Sequence, residues 1–218
     1  MIEKILWIIS QIIRLWSCIY TYRMNELMKS LRRAMYSLWI CRALGSVGEH
    51  SVFSRPLLLQ GGGQRRIKIG SHTRFGHHCV LGCWEKYGSG EDLQQFEPDI
   101  IIGNHCSIGE YCHITAINKI YIGDGLLTGR FVYIGDNTHG GLSWEEASIP
   151  PVNRNLNSKG PITIGRNVWI GDRVSILGGV TIGDNVIIGA GSIVTHDVPS
   201  NCIAVGVPAK IVNKLSNV

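Results

Sequence analysis

From about Val52 onward, apolar residues recur at every sixth position. Stepping by six from Ile69 gives Phe75 and Leu81, and from Ile102 gives Ile108 and Ile114. From Ile122 come Thr128 and Ile134, and from Ile164 come Ile170, Ile176, Ile182, Ile188 and Val194. Of these fifteen positions fourteen are apolar, Thr128 being the exception, and the next residue is Gly in twelve, where the composition alone would give about two. Six is neither the 3.6 of a helix nor the simple alternation of a half-buried strand. It is the signature of a solenoid: each short strand sends one Ile inward, and the chain turns between strands. The Gly beside the Ile is expected to take the sharp turn, and pairs such as Gly123–Asp124, Arg166–Asn167 and Asp184–Asn185 supply turn chemistry. One such strand cannot bury its face alone, so the coils must stack.

Residues 1–45 follow a different period. Ile5, Ile9, Ile12, Ile13, Trp16, Ile19 and Tyr20 are spaced as on a helix, and so are Leu27, Met28, Leu31, Met35, Leu38 and Trp39. Tyr22–Arg23 separates two expected helices. Arg14 interrupts the first apolar run too early for a membrane span, and no small-residue cleavage site follows it. Two domains are therefore expected: a helical region at 1–45 and a coiled β domain at 46–218. The hexads lapse at 83–99 and 136–161, which read as loop insertions, and slip by two residues between Ile114 and Ile122. Insertions at the corners of a solenoid are where binding chemistry collects.

Composition narrows the field. Hydrophobic residues make up 44% and charged residues 17%, which excludes a disordered chain. The net charge is +5, with Lys4, Arg14, Arg23, Lys29, Arg32, Arg33, Arg42, Arg55, Arg65, Arg66 and Lys68 in the first 70 residues. That pattern fits a solvated basic face or contact with an anionic surface. No nucleic-acid partner is expected. The first 22 residues fit an amphipathic helix packed on protein or lying at a membrane interface, where Trp7 and Trp16 would sit well. Seven scattered cysteines without a Cys-x-x-Cys pair fit a reducing cytoplasm.

The Ile-Gly hexads resemble those of the hexapeptide-repeat transferases. Residues Pro161 to Val212, "PITIGRNVWIGDRVSILGGVTIGDNVIIGAGSIVTHDVPSNCIAVGVPAKIV", resemble the galactoside, maltose and capsule or lipopolysaccharide O-acetyltransferases nearly throughout, with the likeness running from about Ile102 to Leu215. The resemblance implies a mainly β fold, a left-handed parallel β-helix of about five coils with N-terminal α-helices, assembled as a homotrimer with its sites between subunits. It implies an acetyl-CoA-dependent transfer of acetyl to a sugar or surface-polysaccharide hydroxyl, in a bacterial cytoplasm, with no metal.

The same resemblance implies site residues. His139, in "YIGDNTHGG", falls where the family has its catalytic base, and imidazole titrates near neutrality as that task requires. The backbone amide of Asp172, in "WIGDR", falls where the family stabilises the oxyanion. Acetyl-CoA would lie along Trp169, Asp172, Gly189, Ala190, Thr195, His196 and Lys210, with Lys210 meeting the nucleotide phosphates. Two departures stand out: His196 where many relatives carry Lys or Arg, and Asn213 where a basic residue is common. The acceptor-binding position of the sugar acetyltransferases falls on Thr115, with Asn118 nearby. In the insertions, Asp136, Asn137, Trp144 and Glu145, with Trp84 and Tyr87, could hydrogen-bond to or stack on a glycan.

Two other readings remain open on sequence. A γ-class carbonic anhydrase shares the repeat and would use His72, His77, His78, Cys79, Cys112 or His113 around zinc. A non-catalytic trimeric scaffold would leave His139 without a task.

Overall fold

The computed structural model describes residues 2–141 and 143–214; Leu215, the expected end of the family likeness, lies outside them. The chain begins with helix α1 (Ile2–Ile19) and helix α2 (Tyr22–Ala43). The break falls at Thr21 rather than Tyr22–Arg23, because the Thr21 side chain accepts from the Met24 amide at 3.3 Å and caps α2.

Thereafter the chain coils, laying strands in turn on three parallel sheets. The first face stacks Ser46–Val47, Ile67–Ile69, Asp99–Ile102, Lys119–Ile122, Ile162–Ile164 and Thr181–Ile182. The second runs from Val52–Phe53 to Ile187–Ile188 and the third from Leu57–Gln60 to Ile193–Val194. Six strands on the first and third faces make six coils, one more than the five legible as Ile-Gly hexads. The first coil reads Val47–Gly48, Phe53–Ser54 and Leu59–Gln60, so it keeps the register but loses most of the glycines.

All fifteen hexad positions are buried, Thr128 included. A second inward residue sits two before most of them (Cys79, Cys106, Cys112, Val132, Val168, Val174, Val186), so each strand delivers two side chains to the core. Thr128 fits because its hydroxyl accepts from the Gly109 amide at 2.8 Å.

The expectation that the hexad glycine makes the turn is corrected. On the second and third faces the left-handed corner lies three residues before the hexad position, at His72 (φ 56°), His78 (φ 59°), His105 (φ 56°), Tyr111 (φ 59°), Phe131 (φ 58°), Asn167 (φ 55°), Arg173 (φ 56°) and Asn185 (φ 57°). These residues tolerate that strain by stacking on their equivalents in adjacent coils. His72 lies 4.9 Å from His105, Tyr111 lies 4.9 Å from both His78 and Phe131, and the Asn167, Asn185 and Asn201 amides chain together. The hexad glycine serves coil spacing instead: a Cβ at Gly76 would stand 2.7 Å from the Glu110 nitrogen.

The two ends of the stack are closed. Ile40 and Leu44 cover the first coil, while the Ser37 hydroxyl accepts from the Phe53 amide at 2.9 Å and the Tyr36 hydroxyl from the Leu57 amide at 2.8 Å. At the far end Cys202–Val205 adds to the second face, and Lys210–Lys214 folds back antiparallel on it. Both devices satisfy edge groups that would otherwise pair with another chain. The helical spacing placed Leu27, Leu31, Met35, Leu38 and Trp39 on one stripe; that stripe is exposed, and α2 buries Ser37 and Ile40 instead.

Replacing Thr128 with Val should cost about 1–3 kcal/mol, because it strands the Gly109 amide without a partner in the interior. Denaturant unfolding of T128V checks this; an unchanged midpoint would show that the hydroxyl is dispensable.

Candidate active site

Both insertions leave the coil at the same edge, between the third face and the first. The first follows Cys79–Cys83 and carries the hairpin of Lys86–Tyr87 with Gln94–Gln95. The second follows Tyr133–Gly135 and carries the hairpin of Asn137–His139 with Leu156–Ser158, then the short helix α3 (Trp144–Ala147) within it. Only the plain turn at Ile117–Asn118 separates them, so they project side by side. Gln94 locks them together: its side chain accepts from the Leu156 amide at 2.7 Å and donates to the Leu156 carbonyl at 3.2 Å.

This contact brings Tyr87 to His139. The Tyr87 hydroxyl lies 2.9 Å from the Val152 carbonyl oxygen and 3.2 Å from His139 Nδ1. The geometry assigns the protons. A carbonyl can only accept, so the single phenolic proton goes to Val152. Nδ1 must then be the donor to the phenolic oxygen, so that in the neutral imidazole the lone pair lies on Nε2, on an exposed ring. Tyr87, singled out in the sequence as a glycan contact, is thus also the partner that sets the imidazole tautomer; spacing could not place two side chains from separate insertions together.

The other acceptor candidates fall differently. Asp136 is 1% exposed, and its carboxylate accepts from the Ile117 and Asn118 amides at 2.9 Å each. It holds the two-residue slip between coils and cannot reach a glycan; burial raises its pKa above the ordinary carboxylate value. Thr115 is buried at 5% exposure, in register with Gly82 and Gly135. Asn137 points back to the Thr115 carbonyl at 3.5 Å. Trp144 is 93% exposed on α3, and Glu145 beside it is also exposed. Trp84 is half-buried. A cavity of about 360 Å³ opens between the insertions, lined by Phe96, Glu97, Ile117, Asn118 and Asn157. Of these only Asn118 was marked in the sequence.

The remaining positions divide between two edges. Trp169, Asp172, Gly189 and Ala190 lie where the second face turns into the third, on successive coils. Thr195 and His196 lie on the edge that carries His139, and the Thr195 hydroxyl sits 2.8 Å from His196 Nδ1. Lys210 is exposed opposite Val205 on the antiparallel return.

The amide after the hexad glycine is capped by a side chain of the next coil at some corners, Asn104 by Asp124 at 2.7 Å, Arg130 by Asp172 at 2.8 Å, Arg166 by Asp184 at 2.7 Å and Asp184 by Ser200 at 3.0 Å, and left open, among the described residues, at others, His77, Glu110, Asp124 and Asp172 among them. Above Asp172 the next coil presents Ala190, and the amide has no acceptor among the described residues. It is a backbone donor left available on a rigid corner.

The zinc candidates do not converge within the chain. His72 is stacked between His50 and His105, and His77 Nδ1 lies 2.7 Å from the Arg55 carbonyl. Cys79 and Cys112 face the interior, where burial pushes the Cys79 thiol up to about 12, opposite to what a ligand thiolate needs.

Comparison with known proteins agrees with the repeat. Residues 161–196 match the bacterial transferase hexapeptide (six repeats). WbbJ of Escherichia coli (strain K12), named provisionally as a lipopolysaccharide biosynthesis O-acetyl transferase, is 35% identical over 135 residues, covering 60% of this chain and 68% of that protein. Galactoside O-acetyltransferase of the same organism is 43% identical over 103 residues, 45% of each chain. Among solved structures, AntD of Bacillus cereus, an N-acyltransferase crystallised with dTDP and coenzyme A, superposes with a TM-score of 0.63 at 22% identity over 80% of this chain and 86% of that one, a likeness of fold.

The tautomer assignment has a direct check. In ¹⁵N NMR at pH 8, His139 should show a protonated Nδ1 and a bare Nε2, and Tyr87→Phe should shift the population toward the other tautomer. An identical spectrum in the variant would remove Tyr87 from this role.

Proposed function

The chain belongs to the family of bacterial hexapeptide-repeat transferases, and we propose that it transfers acetyl from acetyl-CoA directly to a hydroxyl of a sugar or surface-polysaccharide precursor. The observation that carries this reading is the imidazole of His139, pinned through Nδ1 by Tyr87 with Nε2 left to accept a proton. In the proposed step, Nε2 takes the proton of the acceptor hydroxyl as its oxygen attacks the thioester carbonyl. The oxyanion that forms is met by the uncapped Asp172 amide. Collapse breaks the carbon–sulfur bond, and the imidazolium returns the proton to the leaving sulfur, giving the O-acetyl ester and CoA. No acyl-enzyme is involved.

Within one chain His139 stands on the edge between the third and first faces, and Asp172 on the edge between the second and third. Uniting them calls for a second subunit, which supports the homotrimer with sites shared between chains. Acetyl-CoA would then run along Trp169, Gly189 and Ala190 of one subunit, with Thr195, His196 and Lys210 at its nucleotide end. Asn118 and the exposed Trp144 are the acceptor contacts we favour. We take the coil to be left-handed, as in the family, and the domains to divide near residue 45. Among the described residues no helix is long and apolar enough to cross a membrane. The exposed apolar side chains of α1, Trp7 and Trp16 included, support peripheral contact with the inner face of a membrane and a cytoplasmic setting.

His139→Ala should lower glycan-dependent CoA release by about 10²–10⁴-fold, the usual scale for a lost general base. Release followed with a thiol reagent across a glycan panel measures this; retained activity in H139A would place the general base elsewhere, and no release and no acetyl-CoA binding in the wild type would support the scaffold reading. Ala190→Ser tests the amide. A hydroxyl there can cap Asp172 as Ser200 caps Asp184, so kcat should fall by about 10²–10³-fold while acetyl-CoA binding holds. Unchanged kcat in A190S would place oxyanion stabilisation elsewhere.

A further inference from the structure

The seven basic residues of the first 45 oppose only Glu3 and Glu26, so the helical segment carries the whole net charge of +5 and the coils are neutral. That charge is not spread evenly over α2. Its N-terminal half faces the first and second coils across a cleft of about 890 Å³, lined by Lys29, Arg32 and Arg33 on the helix and by Arg55 and His77 on the coils. Arg33 also lines the adjoining cavity of about 410 Å³, together with Arg74 and Arg130. The two form one groove with Arg33 at the join.

The acidic residues of the groove are already occupied. Glu26 pairs with Lys29 at 2.8 Å and Glu110 with Arg130 at 3.5 Å, and Asp172 accepts from the Arg130 amide at 2.8 Å. Arg32, Arg33, Arg55 and Arg74 have no carboxylate partner among the described residues. Four guanidinium groups converging on a concave site repel one another, and a bound polyanion relieves that repulsion. Guanidinium forks match phosphate oxygens two at a time. A groove of this size suits a bounded headgroup better than a flat lipid surface, and its length, with cations on either side of Arg33, suits two linked phosphates better than one. It runs from the first coils along the edge between the second and third faces as far as Arg130 and Asp172, so that it ends beside the amide proposed for the oxyanion, while Lys210 lies beyond it on the C-terminal return.

We propose that this groove binds the diphosphate of a sugar carrier, either a nucleoside diphosphate or an isoprenoid lipid diphosphate. The identification of that ligand as the acceptor's carrier rests on the proposed transferase activity; the binding itself does not.

The experiment is calorimetric titration of the full-length protein at 150 mM salt with inorganic pyrophosphate, UDP-glucose and farnesyl diphosphate in turn. Pyrophosphate should bind, and one of the other two should bind more tightly, naming the nucleotide or the lipid as the source. The exposed pair Arg33→Ala/Arg55→Ala should weaken that binding at least tenfold while leaving the circular dichroism spectrum and acetyl-CoA binding unchanged. Three results would overturn the proposal: no diphosphate binding in the wild type, equal binding in the double variant, or a parallel loss of acetyl-CoA binding, which would make the groove part of the CoA site. Binding to vesicles of anionic phospholipid without binding to any soluble diphosphate would also overturn it, in favour of a lipid surface. Loss of transfer in H139A with diphosphate binding intact would leave this inference standing on its own.

Discussion

The structure depends on how closely one coil can approach the next. Backbone hydrogen bonds set that distance on all three faces, and the interior must then be filled by side chains at the same spacing. The column of apolar residues at the hexad positions does the filling, and the Gly beside most of them keeps a Cβ out of the neighbouring coil. Corners follow from the same constraint. The turns that lead into the second and third faces each use a left-handed residue, and His, Tyr, Phe and Asn take it where glycine is absent because each stacks or hydrogen-bonds to its copy one coil away.

A scaffold this regular concentrates chemistry where the regularity stops. The two insertions leave one edge two coils apart, and the plain turn between them is held by the buried carboxylate of Asp136. That support lets the hairpins meet and lets Tyr87 reach His139. Asp172 shows the complementary device. The side chains that cap edge amides do not occur at every corner, and above Asp172, where the next coil presents Ala190, a backbone donor is left open. The first site arises from added chain and the second from a missing side chain, and both rely on the rigidity of the coils beneath.

The helical segment is bound to this scaffold by few buried residues. Ile40, Leu44, Ser37 and Tyr36 close the first coil, and most of the remaining apolar surface of α1 and α2 faces outward. Its charge is one-sided, whereas that of the coils is balanced. The segment therefore has two roles in the fold, as a lid on the solenoid and as one wall of the basic groove.

Much was legible in the sequence. The six-residue period fixed the inward column without exception, because inward geometry demands the same residue type at the same step. It also located both insertions. It missed the first coil, whose Val, Phe and Leu satisfy the interior without the glycines that made the others visible. It assigned the turn to the wrong residue, since a glycine in a pattern does not reveal whether it is needed for φ or for space. Asp136 read as a glycan contact and is a buried staple. The Tyr87–His139 pairing, the uncapped Asp172 amide and the meeting of Arg33 with Arg55 and Arg74 were decided by tertiary structure alone. Each joins residues tens of positions apart through the stacking of coils, and a period along the chain carries no information about which side chains the stacking brings face to face.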